Sequence, residues 1–273
     1  MKYQQVELSG HTTAYLEGGD PKNDTIVFIH DGAFGTTAEL CWGPVMERMK
    51  DEFHVLAPEL YGWGGSDKHY PFGASPYEYR IQQVAEWLRY KGITNAVFVG
   101  ASFGGSITLR ATMHDDNPWA PRGTISFAGS GGLFRPPAAV EALSSFTPSY
   151  EEAERLTSLV VKTTEGLEDH IQQRFENSLI PGHWECLMAP TLRNPGADRI
   201  RPADDFPEKL RQVEVPVLFV EGQHDTLLEE GWAEKLVVYP PKGQILVIDA
   251  SHEPNIDQPD MTVEMIRSFI RGL

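Results

Sequence analysis

The chain contains the residue types that a serine-based nucleophilic reaction requires, and Ser102 is the first of them. It lies in the sequence G-A-S-F-G at residues 100–104, after a short β-branched run and before a helical pattern. A sharp strand-to-helix turn exposes such a serine, and the flanking glycines are needed because a Cβ would collide with neighbouring backbone. Outside this context the motif also fits a glycine-rich helix start capped by serine. The context favours a nucleophile.

A serine hydroxyl is a weak nucleophile near neutral pH, so it needs a general base and a carboxylate that orients the base. His252 follows the apolar run 245–248 and Asp225 follows the run 217–220, which places both at the carboxyl edge of a parallel sheet. Ser102, Asp225 and His252 therefore occur in the order nucleophile, acid, base. Asp249 and Glu221 are alternative acids. Taken singly, His252 also fits a surface loop and Asp225 a helix N-cap.

Acyl chemistry further requires hydrogen-bond donors for a developing oxyanion. The sequence H-D-G-A-F-G at residues 30–35 follows the apolar run 26–29. A backbone N–H from this turn, most simply that of Gly32, can join the N–H of Phe103, the residue after the predicted nucleophile. A plain turn after a strand is the alternative interpretation.

The elements that must position these residues are visible in the apolar pattern. Short β-branched runs recur with helix-like stretches between them, which is typical of a mostly parallel, doubly wound sheet with helices on both faces. The runs are 26–29, 55–56, 97–99, 125–127, 217–220 and 245–248. Between the second and third runs, Ser75 as N-cap, Pro76 and Glu78 predict a helix start. The fold class is therefore α/β.

The alternation of strands and helices has one long interruption. The pattern stops after Phe127 and resumes near Val215, and the stretch of about 85 residues between them is too long for an ordinary strand-to-strand crossover. Ser149 and Glu152 resemble a capping box inside this stretch, which indicates helices. We therefore predict a core formed by residues 1–130 and 208–273 and a helical cap formed by residues 131–207.

Length, composition and charge limit the classes of function. The 273 residues suit one large domain with an insertion, and the formal net charge of -16 disfavours nucleic acid and anionic lipid as partners. Every apolar run is far shorter than the roughly 20 residues of a membrane span. The N-terminus lacks a signal-peptide pattern and two cysteines form no disulfide framework, so we expect a cytoplasmic protein. His183, Cys186 and His224 lack the spacing of a zinc site, so no metal is expected.

From residues 30–32 through Ser102 and Asp225 to His252, the sequence resembles the α/β-hydrolase superfamily over nearly its whole length. Residues 60–67, L-Y-G-W-G-G-S-D, are similar to the P-G-x-G-x-S-D loop of these proteins, with Tyr61 in place of the proline. The resemblance implies an α/β-hydrolase fold, a small-molecule substrate and no cofactor, and relatives are often homodimers. A serine nucleophile argues against the epoxide hydrolases and haloalkane dehalogenases, which use aspartate.

Part of the insertion resembles the cap of the meta-cleavage-product hydrolases, which cleave carbon-carbon bonds in vinylogous 1,5-diketones. The segments that carry this resemblance are 131–136, 148–151 and 172–175. Arg174 matches the cap arginine that receives the substrate's carboxylate or dienolate, and a salt bridge within the cap is the alternative. Trp184 is a candidate for the pocket wall, although tryptophans more often serve packing.

Two positions depart from the pattern of that branch. Ala101 stands where asparagine usually precedes the serine, and Glu253 stands where tryptophan usually follows the histidine. The sequence thus predicts a serine hydrolase of a small ester or lactone. A carbon-carbon bond hydrolase and a receptor that binds without turnover are the alternatives, and the fold alone does not separate them.

Overall fold

The computed structural model describes residues 1–114, 119–144, 146–192 and 204–273. Of the predicted cap, residues 145 and 193–203 lie outside the described residues. The strands in the described ranges are β1 (Lys2–Leu8), β2 (His11–Gly18), β3 (Thr25–Ile29), β4 (His54–Pro58), β5 (Val97–Ala101), β6 (Gly123–Phe127), β7 (Val217–Gly222) and β8 (Gly243–Ile248). They form one sheet in the order β1-β2-β4-β3-β5-β6-β7-β8.

The sheet is antiparallel only at its first edge, where β1 pairs with β2 and β2 with β4. From β4 to β8 all neighbours are parallel. The apolar runs of the sequence lie in β3 to β8, so the prediction of a mostly parallel sheet is confirmed. The β1–β2 hairpin was not predicted because β1 alternates exposed and half-buried side chains rather than forming an apolar run.

Helices cover both faces of the sheet. They are α1 (Ala38–Met49), α2 (Glu78–Lys91), α3 (Phe103–Thr112), α4 (Pro137–Ser144), α5 (Tyr150–Val160), α6 (Glu168–Ser178), α7 (His183–Met188), α8 (Trp232–Val237), α9 (Pro254–Asp257) and α10 (Pro259–Arg271). Phe28 of β3 packs in one buried cluster with Trp42 of α1 and Ile266 of α10. Its neighbour Val27 belongs to a second cluster with Val84 of α2. Successive strand residues thus face opposite helix layers, as a doubly wound sheet requires.

The predicted N-cap of α2 is wrong. The helix begins at Glu78, and the Ser75 hydroxyl accepts the N–H of Tyr77 at 3.2 Å in the preceding turn. A serine that bonds to the N–H two residues on stabilises a turn rather than a helix end. In contrast, the predicted cap of α5 is confirmed, because the Ser149 hydroxyl accepts the N–H of Glu152.

Helices α4 to α7 lie between β6 and β7, within the stretch predicted as a cap. This part of the chain contacts the loop after β3: the ring of Phe146, between α4 and α5, stacks on Phe34 with centroids 4.4 Å apart, and the Asn177 amide on α6 donates to the carbonyl of Gly35 at 3.1 Å. No helix in the described ranges is long and apolar enough to cross a bilayer.

Candidate active site

Ser102 occupies the turn between β5 and α3. Its φ of 52° and ψ of -113° lie in a region that residues with a Cβ rarely adopt. The Ser102 N–H donates to the carbonyl of Phe127 on the neighbouring β6 at 2.7 Å, which ties the turn to the sheet. The strained backbone holds the serine at the carboxyl edge of the sheet, and such strain persists only where surrounding contacts enforce it.

The glycines on either side of Ser102 are required by close backbone approaches. A Cβ on Gly100 would lie 2.4 Å from the carbonyl oxygen of Gly104. A Cβ on Gly104 would lie 2.3 Å from the carbonyl oxygens of Ile29 and His30. Backbone atoms cannot move aside as a flexible side chain can, so the turn itself requires glycine at Gly100, and its packing against the end of β3 requires glycine at Gly104.

The structure brings Ser102, His252 and Asp225 into one hydrogen-bonded chain. The Nε2 atom of His252 lies 2.8 Å from the Ser102 Oγ, and its Nδ1 lies 2.7 Å from Oδ2 of Asp225. The side chains of His252 and Asp225 are only 1% and 3% exposed. An ionised carboxylate accepts hydrogen bonds and cannot donate them, so Nδ1 carries the proton and Nε2 is left to accept from the serine hydroxyl. This is the tautomer that a general base needs.

Asp225 is held as a carboxylate. Burial acts to raise its pKa, but the charge and hydrogen bond of His252 and the N–H of Leu227, which donates at 2.7 Å, outweigh burial and lower the pKa below its ordinary value. An ionised Asp225 favours the imidazolium that forms when His252 takes a proton.

The two alternative acids have other partners. Glu221 accepts the N–H groups of Gly231 and Ala233 at the start of α8, at 2.7 and 3.0 Å. Asp249 lies 2.7 Å from Lys162 and 2.6 Å from His224 at the surface. In the described part of the chain it is Asp225 that contacts His252.

Gly32 and Phe103 adjoin each other beside the serine. A Cβ on Gly32 would lie 2.8 Å from the Cβ of Phe103, so only glycine permits this approach. The N–H of Ala33 is already donated to the Asp31 carboxylate at 2.7 Å. Among the described residues, the N–H groups of Gly32 and Phe103 have no hydrogen-bond acceptor. Two unused donors next to the serine suit an oxyanion, although this role stays a prediction.

A buried carboxylate holds the turn that contains Gly32. Besides the Ala33 N–H, Asp31 accepts the hydroxyl of Thr36 at 2.6 Å. Burial acts to raise the pKa of Asp31, but the nearby charge of Arg174 and these hydrogen bonds lower it below its ordinary value. The turn is therefore built around an ionised carboxyl group that the positive charge of Arg174 helps to stabilise.

His183 on α7 connects the inserted helices to two loops of the core. Its Nε2 accepts the N–H of Gly35 at 2.9 Å, and its Nδ1 lies 2.7 Å from the carbonyl of Gly62. Burial lowers the pKa of His183 to about 4, so the ring is neutral and has one donor and one acceptor for these contacts. Sequence reasoning considered His183 only as a zinc ligand and missed this link.

A cavity of about 300 Å³ opens beside Ser102, which is the size of small-ligand sites. Its apolar lining includes Phe34, Trp63, Leu143, Leu156, Leu187 and Leu227. Polar lining residues are Asp31, Arg80, Ser102, Arg135, His252 and Glu253. A larger space of about 1190 Å³ lies between β1, α1 and α6, but it contains none of the three hydrogen-bonded residues. The cavity at Ser102 is therefore the candidate substrate site.

Arg174 and Trp184 are not among the residues that line this cavity. The fully buried guanidinium of Arg174 donates to the carbonyl of Phe34 at 3.3 Å and lies 3.4 Å from the ring of His170. The indole N–H of Trp184 donates to the carbonyl of Phe146 at 2.8 Å. Both side chains connect helices to loops, and a substrate contact for either stays a prediction.

Arg80, Arg135 and Glu253 line the cavity but were not proposed as site residues. Nothing in their spacing marks Arg80 or Arg135, since each is a single basic residue near a loop. Glu253 did carry a signal, because it directly follows His252 where the related branch usually has tryptophan. It is 1% exposed, and burial raises the pKa of its carboxyl well above the ordinary value.

The fold of this chain has counterparts in known proteins. A family model described as the alpha/beta hydrolase family matches residues 26–265. The chain therefore belongs to the alpha/beta hydrolase family, and the predictions of an α/β-hydrolase fold and of a hydrolase are confirmed.

Individual relatives are distant but match along most of the chain. The chain is 23% identical to 2-hydroxymuconate semialdehyde hydrolase of Pseudomonas sp. (strain CF600), over 90% of this chain and 86% of the relative. It is 24% identical to 3-oxoadipate enol-lactonase 1 of Acinetobacter baylyi, over 97% and 95%. The structure of 2-hydroxy-6-oxo-6-phenylhexa-2,4-dienoate hydrolase (BphD) from Rhodococcus sp. strain RHA1 superposes with a TM-score of 0.83 at 22% identity, over 99% of this chain and 98% of that one. This last likeness shows a common fold.

Proposed function

We propose that Ser102 attacks the carbonyl carbon of a small substrate and that His252 and Asp225 activate it. The observation that supports this most directly is the hydrogen-bonded chain from Asp225 through His252 to the Ser102 hydroxyl. His252 Nε2 takes the hydroxyl proton as Oγ bonds to the carbonyl carbon, and the N–H groups of Gly32 and Phe103 hold the oxyanion.

The intermediate then collapses. The bond from the carbonyl carbon to the leaving oxygen breaks, and His252 gives its proton to that oxygen. A water molecule, deprotonated in turn by His252, attacks the acyl group on Ser102. The acid product leaves and the serine regains its proton, so the cycle consumes one water and needs no redox partner.

The bond cleaved is, in our proposal, that of an ester or lactone. Carbon-carbon cleavage has a carbanion as its leaving group, which requires prior ketonisation of a dienolate and a cation to receive it. Arg174, the candidate for that cation, instead contacts Phe34 and His170. Carbon-carbon cleavage remains the second candidate because two of the relatives above are named as hydrolases of a semialdehyde and of a dienoate.

The proposal also covers the cap, the cellular location and the oligomeric state. Residues 131–207 form a cap over it, and the enzyme acts in the cytoplasm, as a homodimer, on small molecules rather than on nucleic acid or membranes. The formal net charge of -16 supports the absence of polyanionic partners. Light scattering of the purified protein tests the dimer.

A substrate panel tests the activity. Aryl esters, lactones and a ring-fission dienoate are offered to the wild type and to Ser102→Ala, which should lose at least about a thousandfold in turnover while staying folded. A fluorophosphonate should label Ser102, and Ser158→Ala, at an exposed serine, is the control that keeps both turnover and labelling. Full activity in Ser102→Ala would overturn the mechanism, and binding without turnover in the wild type would point to a receptor.

A further inference from the structure

Two arginines line the cavity without a carboxylate partner among the described residues. Arg80 is 4% exposed, and its guanidinium donates to the carbonyls of Tyr61 and Pro76 at 3.0 and 2.8 Å. Arg135 lies between β6 and α4, and its Nη1 is buried with no hydrogen-bond partner. A buried guanidinium N–H without an acceptor is costly unless a ligand supplies one.

The two cations differ in what compensates them. The Arg80 guanidinium also lies over the rings of Trp63 and Tyr79, at 4.8 and 4.5 Å from their centroids, where it gains cation–π attraction. Arg135 has no such ring contact in the described ranges. Of the two, Arg135 is therefore the one whose guanidinium has a buried N–H group without an acceptor.

None of the acidic residues that line the cavity forms an ion pair with Arg135 in the described ranges. The charge of Asp225 attracts Arg135, but the hydrogen bonds of this carboxylate go to His252 and Leu227. Asp31 is hydrogen-bonded within its own turn. Burial raises the pKa of Glu253 well above its ordinary value, which favours the neutral form of that carboxyl. The buried Nη1 of Arg135 therefore lacks a direct acceptor, and a ligand can supply one.

We propose that Arg135 binds an anionic group of the substrate, a carboxylate, while the reacting carbonyl lies at Ser102. The substrate class is then an acyl compound that also carries a carboxylate, such as the half-ester of a dicarboxylic acid. A planar guanidinium with a free Nη1 suits a carboxylate because it donates parallel N–H groups. The position of the carbonyl rests on the proposed function, whereas the anion site does not require turnover. The anion contact thus lies in the loop before α4 and not on α6, where Arg174 stands.

Binding to Ser102→Ala protein measures the anion site without catalysis. Isothermal titration calorimetry compares 4-oxopentanoate, 5-oxohexanoate and 6-oxoheptanoate with their uncharged amides, and the chain length that binds best reports the distance from Ser102 to Arg135. We expect the preferred acid to bind about 30-fold more tightly than its amide. Adding Arg135→Gln to the Ser102→Ala protein should remove the preference for the acid over its amide, and Arg135→Lys in its place should restore part of that preference. Arg211→Gln, which removes a surface arginine paired with Glu208, should leave it unchanged.

Three results would overturn the proposal. The acid and its amide could bind equally well, or Arg135→Gln could weaken the binding of acid and amide by the same factor. In the third, Arg174→Gln rather than Arg135→Gln would remove the preference for the acid. Should Arg135→Gln not fold, the wild type still decides, because the preferred acid must inhibit ester hydrolysis competitively and its amide must do so at least about tenfold more weakly. The outcomes also separate the two proposals. Acid-selective binding without any turnover would contradict the proposed hydrolysis but support the anion site. Turnover without acid selectivity would support the hydrolysis but contradict the anion site.

Discussion

The sheet edge that holds Ser102 and the inserted helices that pack beside it position their side chains differently. At the sheet edge, Ser102 and Asp225 follow their strands within a few residues, so the backbone of each turn determines where the side chain lies. In the inserted helices, the side chains of Arg174 and Trp184 donate hydrogen bonds to carbonyls of loops that are distant in sequence. A motif therefore predicts where a side chain lies when the local backbone fixes it, and it carries less information where packing between separate segments decides.

The largest expected effect on activity comes from a substitution of Asp225, the carboxylate at the sheet edge. Asp225→Asn should lower kcat by roughly a thousandfold to ten-thousandfold, because an amide that donates to Nδ1 would leave the His252 ring in the wrong tautomer. Steady-state kinetics on the best ester of the panel measures it. Asp249→Asn, at an exposed residue paired with Lys162 and His224, is the matched control and should retain wild-type kcat. If the Asp249 variant lost activity instead, the assignment of the acid would be wrong.

Much of the fold was predictable because parallel strands covered on both faces are short apolar runs. β3 to β8 carry that signal, and the hairpin β1–β2 does not, since one side of it is exposed. The helix start at Ser75 was mispredicted for a related reason: the same serine side chain can cap a helix or close a turn, and local sequence does not distinguish the two.

The site was predictable in the same uneven way. Ser102, Asp225 and His252 come together because chain order and strand ends bring them to one edge. Arg135 lies on a loop and lines the cavity together with Leu143 and Leu156 of the inserted helices, and no spacing in the sequence encodes this arrangement. Glu253 was visible as a departure from a pattern, but its burial depends on the packing around it.

The next test concerns Arg174 as a part of the structure rather than a ligand contact. Arg174→Gln removes a buried positive charge that favours the ionised form of Asp31, so the free energy of unfolding should fall by about 3 kcal/mol. Adding Asp31→Asn should recover at least about 1 kcal/mol of this loss, because the uncompensated charge is gone. Denaturant titrations of both single variants and the double variant measure the coupling. Strict additivity would show that the two charges do not interact.

Glu253 gives a smaller effect with a defined pH dependence. The folded chain keeps the Glu253 proton at pH values where the unfolded chain, with a carboxyl pKa near about 4.3, has lost it. The folded state thus binds more protons, and the unfolding free energy falls as pH rises above that value. Glu253→Gln removes this loss, so the variant should be more stable than the wild type by at least about 1 kcal/mol at pH 8, with the gap closing towards pH 4. Glu214→Gln, at an exposed site, is the control, and a gap independent of pH would contradict the prediction.

The smallest expected effect measures the strain at the sheet edge itself. Ser102→Ala and Ser102→Gly both lack the hydroxyl, so their difference in stability reports the backbone alone. At a φ of 52° the glycine variant should be more stable by about 1 kcal/mol, because relief of strain exceeds the added entropy of the unfolded chain. Ser106, inside α3, is the matched control: there alanine should be favoured over glycine by about 1 kcal/mol. Thermal unfolding of the four variants should therefore give opposite signs at two serines one helical turn apart, and equal signs would mean that the turn at Ser102 is not strained.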